Sequence, residues 1–424
     1  LQLHANRRSL GLSSSLFRSV AIKLEPRPAD TNGPGTSLKH WFSYQFPYFG
    51  VPPLAASEPH CFKRDGSVHL VAGADQNLLM LKYPLGGEFS FSHRNVYQER
   101  GESHNSFGGT VYISQAENPT LTVKTLDVRS TVHLANKAAK PQSGNHNEIA
   151  VDRVAVRVRV NDTELTVDQR TESMPFVGLH FDRGVRAEVK DIRIDGDPIV
   201  LDEVKLIDQQ LRGWASPYMS GYLLGAHLPL GPRENSRTVR SKRQKAQAGA
   251  KAQTTWYTND GELLSGDRDS RSNPGEQRHI QYARPILDNE SISYDFMYQA
   301  GDREVHPSIG RIAVLLRPDG VRLRWLSHKR SLESYGMDPL HEVEPDEILG
   351  DGRPDLQEGQ WNRVRLARVG SQIVVTVNDK QVCRFEVAID QRFGLLGELD
   401  RACQIRDLKL TGQWPKKLPD LLTE

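Results

Sequence analysis

The carboxylates of the segment HEVEPDEILGD, residues 341–351, are the first side chains whose spacing could support chemistry. Glu342, Glu344 and Asp346 alternate, and alternate residues of a β-strand face the same side. Two carboxylates on one face can serve as the acid and the nucleophile of glycosidic bond hydrolysis. Pro345 interrupts the segment as a strand, however, so an acidic loop exposed to water explains the same residues. Both interpretations remain open at this point.

Histidines and arginines near this segment could complete a pocket. His328 and His341 lie within a segment that has no counterpart earlier in the chain, and Arg317 and Arg324 precede it. If that segment folds over a neighbouring strand, these four side chains could converge with Glu342 in a polar pocket. The candidate catalytic residues are therefore His328, His341, Glu342 and Asp346.

Aromatic rings and planar arginine side chains suit sugar binding, because sugars present apolar CH patches and hydroxyls in fixed directions. The candidate ligand-binding residues are Trp41, Tyr44, Tyr298, Arg317, Arg324 and Trp325. In VRLRW the alternation places Val321, Leu323 and Trp325 on one face and Arg322 and Arg324 on the other. It therefore assigns Arg324 to solvent and favours a core position for Trp325 over a binding role.

Arginines alternate with aliphatic residues in two further segments. In NRVRLARV, Arg363 and Arg365 lie opposite Val364, and in VAVRVRV, Arg157 and Arg159 lie opposite the valines. Such a row keeps one face of a sheet in water and discourages edge-to-edge association. Recognition of sulfate or uronate groups by the guanidinium fork is the alternative.

Composition excludes several functional classes. The chain has 424 residues with 55 basic and 53 acidic side chains, a net charge of +2 that favours no nucleic acid partner. No run approaches the ~18 apolar residues that cross a bilayer. Three cysteines exclude a disulfide framework, although Cys383 and Cys403 could pair if their strands are neighbours; buried free thiols are the alternative.

Signatures of other chemistries are missing. The sequence has no Gly-x-Ser-x-Gly elbow, no phosphate-binding glycine loop and no His-Glu-x-x-His. We expect no metal and no cofactor. Calcium would need clustered oxygen ligands, and turn formation already explains the aspartates and asparagines that recur, which are Asp65, Asp260, Asn378, Asp379 and Asp407.

An internal repeat organises the chain. The segments VAVRVRVNDTELTVD and IVVTVNDKQVCRFEV each turn at an Asn-Asp pair, which tolerates the left-handed backbone of a tight hairpin. The later segment FGLLGELDRACQIRDLKLTG is similar to the earlier segment VGLHFDRGVRAEVKDIRIDG. Further pairs of segments with weaker similarity precede these two and occur in the same order in both copies. The second copy is longer: Gly310 to Asn378 is 68 residues and Gly109 to Asn161 is 52, which leaves 16 extra residues after Trp325.

The repeat predicts domain boundaries. We expect a first β-sandwich over 38–208, an aromatic lead-in and basic linker over 209–252, a second β-sandwich over 253–416, and a tail over 417–424. Within residues 1–37, the segment SLGLSSSLFRSVAIKLEP shows a third, weaker similarity to the end of the repeat. They are either the last strands of a preceding copy, which would make the chain part of a longer protein, or an N-terminal strand of the first sandwich.

The closing motifs carry a resemblance to a known fold family. A Trp-Asn pair opening a strand, a strand ending in Val-Asn-Asp, Phe-Gly-Leu and IRDLKLTG resemble the closing half of concanavalin A-like lectin and glucanase jelly rolls. Similar families include laminin-G-like domains, domains associated with 3-keto-glycoside hydrolysis, and secreted planctomycete proteins of unassigned function. The resemblance covers Trp256 to Trp414 and about Asp65 to Gly196, where HNEIAVD replaces the Trp-Asn pair.

The resemblance implies an all-β fold of two tandem concanavalin A-like antiparallel β-sandwich domains. It implies an extracellular or cell-envelope protein that binds a carbohydrate, neutral or anionic, or another surface. Two alternatives remain: an enzyme of the 3-keto-glycoside hydrolase or glucanase type with its site on the second domain, and a structural spacer within a larger protein. The fold family hosts all three roles.

Overall fold

All regular secondary structure in the described part of the chain is β-strand, and no helix there is long and apolar enough to cross a membrane. The described residues form two compact units, one within 38–204, 387 and 413–421, the other within 205–386 and 391–412. The computed structural model describes residues 38–46, 59–72, 76–96, 101–115, 120–126, 131–135, 137–140, 144–181, 186–215, 256–265, 278–301, 304–310, 312–326, 342–387, 391–397 and 403–421.

The strands are mostly short and are numbered in chain order. Strands β1 to β15 are Trp41–Phe46, His60–Arg64, Ser67–Val71, Gln76–Leu81, Leu85–Val96, His104–Phe107, Thr110–Gln115, Thr120–Thr125, Thr131–Ala135, His146–Val151, Ala155–Val160, Thr163–Gln169, Gly178–Phe181, Arg186–Val200 and Glu203–Lys205. Strands β16 to β30 are Trp214–Ala215, Trp256–Asn259, Glu262–Ser265, Arg278–Pro285, Glu290–Met297, Val305–Ile309, Ile312–Arg317, Gly320–Trp325, Glu342–Val343, Glu347–Ile348, Trp361–Val369, Gln372–Val377, Lys380–Glu386, Arg392–Gly397 and Gln404–Gly412.

Each unit contains two antiparallel sheets with the same strand order. In the first unit, sheet 1A runs β1-β4-β13-β6-β7-β8-β9 and sheet 1B runs β12-β11-β10-β5-β14-β3-β2. In the second, sheet 2A runs β16-β19-β29-β21-β22-β23-β24 and sheet 2B runs β28-β27-β26-β20-β30-β18-β17, with β25 added beyond β28. Every strand of sheets 1A and 1B thus has a counterpart in 2A or 2B, and the predicted all-β sandwich fold is confirmed.

Alternation along the strands builds the core of each sandwich. In the first unit, Leu79 and Leu179 of sheet 1A belong to the same buried cluster as Phe91 of sheet 1B. In the second unit, the ring of Tyr294 in sheet 2B lies 6.0 Å from that of Phe393 in sheet 2A. Burying one face of every strand removes apolar area from water at roughly 25 cal/mol per Å². Tyr294 is fully buried, as alternation with its buried neighbour Phe296 on the same strand face predicts.

Asparagine pairs fix the hairpins that the Asn-Asp motifs predict. Asn378 and Asp379 have φ of 46° and 65°, and Asn161 and Asp162 have φ of 48° and 66°. In the second unit the buried Asn362 accepts hydrogen bonds from Gln357 N at 2.7 Å and from Asn378 Nδ2 at 2.8 Å.

The first unit repeats this network with Asn145. That residue accepts from Lys140 N at 2.9 Å and from Asn161 Nδ2 at 2.8 Å. The first copy therefore lacks only the tryptophan of the Trp-Asn pair. Gly144 takes the place of Trp361, but the asparagine is retained immediately before HNEIAVD.

The alternating arginines lie on the side of each strand opposite the core, and most have carboxylate partners, whereas Arg365 Nε donates to Ser291 Oγ at 3.2 Å. Arg157 bonds Asp152 at 2.6 Å and Arg159 bonds Glu148 at 3.1 Å on sheet 1B. On sheet 2B, Arg363 Nε lies 2.8 Å from Asp295 Oδ1. Three of the four arginines thus form charged pairs on the side of the sheet away from the core, as the interpretation of a water-facing surface predicts.

Three candidate binding residues are buried, contrary to expectation. Trp41 lies in the core of the first unit, its ring 6.1 Å from Phe91, so it offers no open face to a sugar. Tyr298 is buried beside Phe296. The alternation also wrongly assigned Arg324 to solvent: β24 pairs with β23, and the Arg324 side chain is only 4% exposed.

The cysteines and the chain termini of the units complete the fold. Cys61, Cys383 and Cys403 are all free thiols, and burial raises the pKa of Cys61 and Cys383 to about 12.

Part of the aromatic lead-in forms β16 of sheet 2A, next to β19. Residues 413–421 belong to the first unit, whereas the sequence suggested that the second domain continues to 416 and is followed by a tail.

Replacing the buried asparagine of either hairpin should destabilise the protein. In Asn362→Ala and Asn145→Ala, buried backbone groups lose their partners, which costs about 2 kcal/mol in the free energy of unfolding. For a unit of this size the melting temperature should fall by roughly 4–8 °C. Differential scanning calorimetry measures the change, with Asn259→Ala at an exposed strand end as the control. An equal shift in the control would contradict the structural role.

Candidate functional site

The outer face of sheet 2A, the side turned away from the sandwich core, carries a row of cross-strand partners. Alternate residues of its strands, such as Val314 and Leu323, point into the core. The intervening residues face outward and pair one to the next across the sheet. The outward row is Gln281, Gly394, Ser308, Ala313, Arg324 and Glu342.

Five charged side chains at the β24 end of this row form what we call the arginine–glutamate cluster: Arg317, Arg322, Arg324, Glu342 and Glu344. Glu342 contacts Arg324 Nη2, and its two oxygens lie 3.1 and 3.3 Å from the Nη atoms of Arg317. Arg322 Nε lies 3.3 Å from Glu344. Two arginines two residues apart on β23 thus face two glutamates two residues apart in and beside β24.

Charge pairing keeps Glu342 ionised. Burial alone would raise the pKa of Glu342, but the hydrogen bonds and charges of Arg324 and Arg317 outweigh it and hold the pKa below its ordinary value. Arg324 is almost completely buried, while Arg317 is 31% exposed. The cluster is therefore anchored by a buried guanidinium and reaches solvent through Arg317, Arg322 and Glu344.

The β19 end of the row is polar and buried. His279 Nε2 lies 2.8 Å from Ser308 Oγ, and the adjacent Gly394 leaves room for this contact. A Cβ at Gly394 would lie 2.4 Å from Ser308 Oγ and 2.8 Å from His279 Nε2, so a side chain cannot be accommodated without a shift. In the neighbouring row, the backbone N–H of Leu316 donates to His306 Nδ1 at 3.1 Å.

The same row in the first unit shows which parts of the site are shared. Its register partners on sheet 1A are Met80, Gly178, Ser106, Val111, Lys124 and Thr131. The glycine and the serine recur at equivalent positions. Lys124 and Thr131 replace Arg324 and Glu342, so the arginine–glutamate cluster belongs to the second unit alone among these matched strands.

The interior of the first unit is polar where that of the second is apolar. His93, Asn95, Ser103 and Asn105 are buried between sheets 1A and 1B. The register places them at the positions that the second unit fills with Tyr294, Phe296, Val305 and Pro307. Sequence reasoning missed this difference, because alternation identifies inward positions without saying that a polar network will fill them.

Ser103, His93 and Asn105 form a chain of hydrogen bonds in the order expected of a nucleophile, its general base and the residue that orients the base. Ser103 Oγ lies 2.9 Å from His93 Nε2, and His93 Nδ1 lies 2.9 Å from Asn105 Oδ1. Ser103 Oγ also lies 2.9 Å from Asn95 Oδ1. All four side chains are fully or almost fully buried, so a substrate carbon has no approach to the hydroxyl. The network is a satisfied structural bridge between the sheets.

The structure joins some of the predicted site residues and separates others. Glu342, Arg317 and Arg324 converge, as the sequence suggested for a segment folding against the sheet. Asp346 does not join them: it is exposed, and its Oδ2 accepts the backbone N–H of Glu386 in sheet 2B at 2.6 Å. His328, His341 and the side chain of Trp325 lie outside the described residues, and their roles stay predictions.

Tyr44 keeps an outward position in the first unit. Its ring is half-buried and stacks on that of Phe42, with centroids 5.5 Å apart.

Sequence reasoning did not recognise the pairing of Arg322 with Glu344. The complementary spacing of Arg-Leu-Arg and Glu-Val-Glu was available in the sequence, but the turn that brings them together was not.

Comparisons with known proteins add family matches without a described activity. Residues 272–417 match the model of a domain of unknown function, DUF1583_N, and residues 148–256 match that of a protein of unknown function, DUF1581. No curated protein matches the sequence.

Solved structures similar to this chain are β-proteins of several descriptions. One is a carbohydrate binding module from Bacillus subtilis, at 10% identity over 37% of this chain and 96% of that one, with a TM-score of 0.24. Another is a protein of unknown function with a galectin-like fold from Bacillus subtilis, at 13% identity, 37% and 89% coverage and a TM-score of 0.28. LamAcat from Zobellia galactanivorans matches at 10% identity, 38% and 93% coverage and a TM-score of 0.28.

Buried histidines of the first unit should make its stability depend on acid. Burial lowers the pKa of His93 to about 4 and that of His180 to about 3. In the unfolded chain these histidines bind protons near pH 6.5. Their contribution to the free energy of unfolding is therefore fully present above about pH 6.5 and is lost as the pH falls toward the pKa values of the folded state. For His93 the loss is about 3 kcal/mol.

Melting temperature measured from pH 7 to pH 4 checks this dependence. His93→Gln retains a polar side chain but removes the titrating ring, so the curve should become flatter even if the variant is less stable at neutral pH. An unchanged slope in this variant would show that His93 does not supply the acid sensitivity.

Proposed function

We propose that the second unit binds a carbohydrate through the arginine–glutamate cluster at the β24 edge of sheet 2A. The observation that carries the proposal is the cluster itself. Its five charged side chains, of both signs, pair with one another across β22, β23 and β24, and they are partly exposed. The matched strands of the first unit have no equivalent. Guanidinium and carboxylate groups held in fixed positions supply planar donors and acceptors for sugar hydroxyls at little entropic cost.

Binding fits this geometry better than hydrolysis. A general acid must hold a proton near neutral pH, whereas Arg324 and Arg317 keep Glu342 ionised. Glu344 is exposed and paired with Arg322. The carboxylate at the centre of the cluster is thus ionised, which gives the glycosidase alternative no acid at Glu342.

The role as a carbohydrate binder also sets an expected place of action. A polysaccharide ligand implies an extracellular or cell-envelope location, as the resemblance of the sequence suggests. In this proposal the two units share a scaffold, and the second carries the recognition residues. A spacer role for both units is the outcome to be accepted if no glycan binds.

Arg317→Ala should weaken glycan binding. Loss of a charged hydrogen-bonding group costs about 1.5 kcal/mol or more, which is roughly tenfold in affinity. Affinity for a panel of neutral, uronic and sulfated oligosaccharides is measured by calorimetry, with chromatography of the mixtures to detect products. Arg384→Ala is the matched control, because Arg384 forms an exposed pair with Glu347 at the edge of sheet 2B.

The panel separates the candidate roles. Binding that Arg317→Ala weakens and Arg384→Ala leaves intact supports the proposal. Equal effects of both replacements would place the site elsewhere. New products would establish an enzyme, and an absence of binding to every oligosaccharide would leave the spacer role.

A further inference from the structure

The carboxylate of Glu342 lies in a fork made by two guanidinium groups from neighbouring strands. Arg317 of β22 contacts both of its oxygens, at 3.1 and 3.3 Å, and Arg324 of β23 contacts one of them. The planar guanidinium matches a carboxylate through paired hydrogen bonds. The fork therefore has the geometry of a carboxylate receptor, and the chain's own side chain occupies it.

The fork requires an anion whatever its source. Arg324 is only 4% exposed and carries a permanent charge, and a buried charge without a partner is strongly destabilising. The cluster also has three arginines against two glutamates, a local charge of +1. Any group that replaces Glu342 between these arginines must therefore also be an anion.

The resident carboxylate is held by a very short strand. β24 consists of Glu342 and Val343 and makes two register pairs with β23, whereas β22 and β23 share six. Val343 is 47% exposed, so the apolar side chain of this two-residue strand contributes little to holding it in place. Elements with few buried contacts open at low free-energy cost.

We infer that this fork takes the carboxylate of an acidic sugar, a uronate, and that Glu342 is the resident competitor that the ligand displaces. The inference rests on the proposed function and names its ligand class. The exchange is balanced, because one carboxylate replaces another on the same two arginines and Glu342 passes into water still ionised. No proton or covalent bond changes hands.

The test is calorimetric titration of the full chain with trigalacturonate and with its neutral methyl ester. The parent protein should bind the acid at least tenfold more tightly than the ester at low salt. Glu342→Gln removes the competing charge and should raise the affinity for the acid at least tenfold, with no change for the ester. Glu347→Gln, which removes the carboxylate paired with Arg384, should leave both affinities unchanged.

A second replacement protects the test if Glu342→Gln folds poorly. Arg317→Gln leaves the pair of Arg324 and Glu342 intact and removes one side of the fork, so the preference for the acid over the ester should disappear. Circular dichroism confirms that each variant is folded before titration.

The outcomes distinguish this inference from the proposed function. Equal binding of the acid and the ester by the parent protein overturns the uronate assignment and leaves carbohydrate binding standing. Tighter binding of a sulfated oligosaccharide that lacks uronic acid than of trigalacturonate also overturns the assignment. Binding of none of these probes overturns both.

Discussion

The buried charge of Arg324 is the constraint on which the candidate site depends. A guanidinium that is 4% exposed must have a counter-charge within contact distance, and Glu342 supplies it. The ion pair thus adds a side-chain contact to the two backbone register pairs that join β24 to β23. It also explains the lowered pKa of Glu342. The fold supplies the sheet, and the pair of Arg324 and Glu342 lies where β24 joins it.

Comparison of the two units separates scaffold from function. Strand order, the hairpin asparagines and the glycine beneath a serine on the outer face are common to both, which marks them as requirements of the sandwich. The arginine–glutamate cluster and the polar interior around His93 each occur in one unit, at positions that the other unit fills with unrelated residues. At matched positions of one scaffold, these are the places where the two units differ in chemistry.

Much of the fold follows from the sequence, because hairpin turns and alternation are local. The Asn-Asp turns have the left-handed backbone that the dipeptide predicts, and the inward position of Tyr294 follows from its neighbours. Alternation fails at Arg324 because it describes one strand at a time, while burial there comes from a distant segment that pairs with it. The same limit explains Trp41: aromatic residues at a strand start suit a sugar platform or a core equally well. His328, His341 and Trp325 stay predictions of the sequence.

Hydrogen exchange of the backbone amides, measured with and without trigalacturonate, tests the central claim most directly. In the proposed binding mode the ligand occupies the fork between β22 and β23 and displaces Glu342 from it. Peptides covering β24 should therefore exchange faster when the ligand is present, and those covering β22 and β23 should exchange more slowly. Slower exchange confined to the first unit, or no change in peptides spanning 312–326 and 342–350 under saturating ligand, would contradict the account.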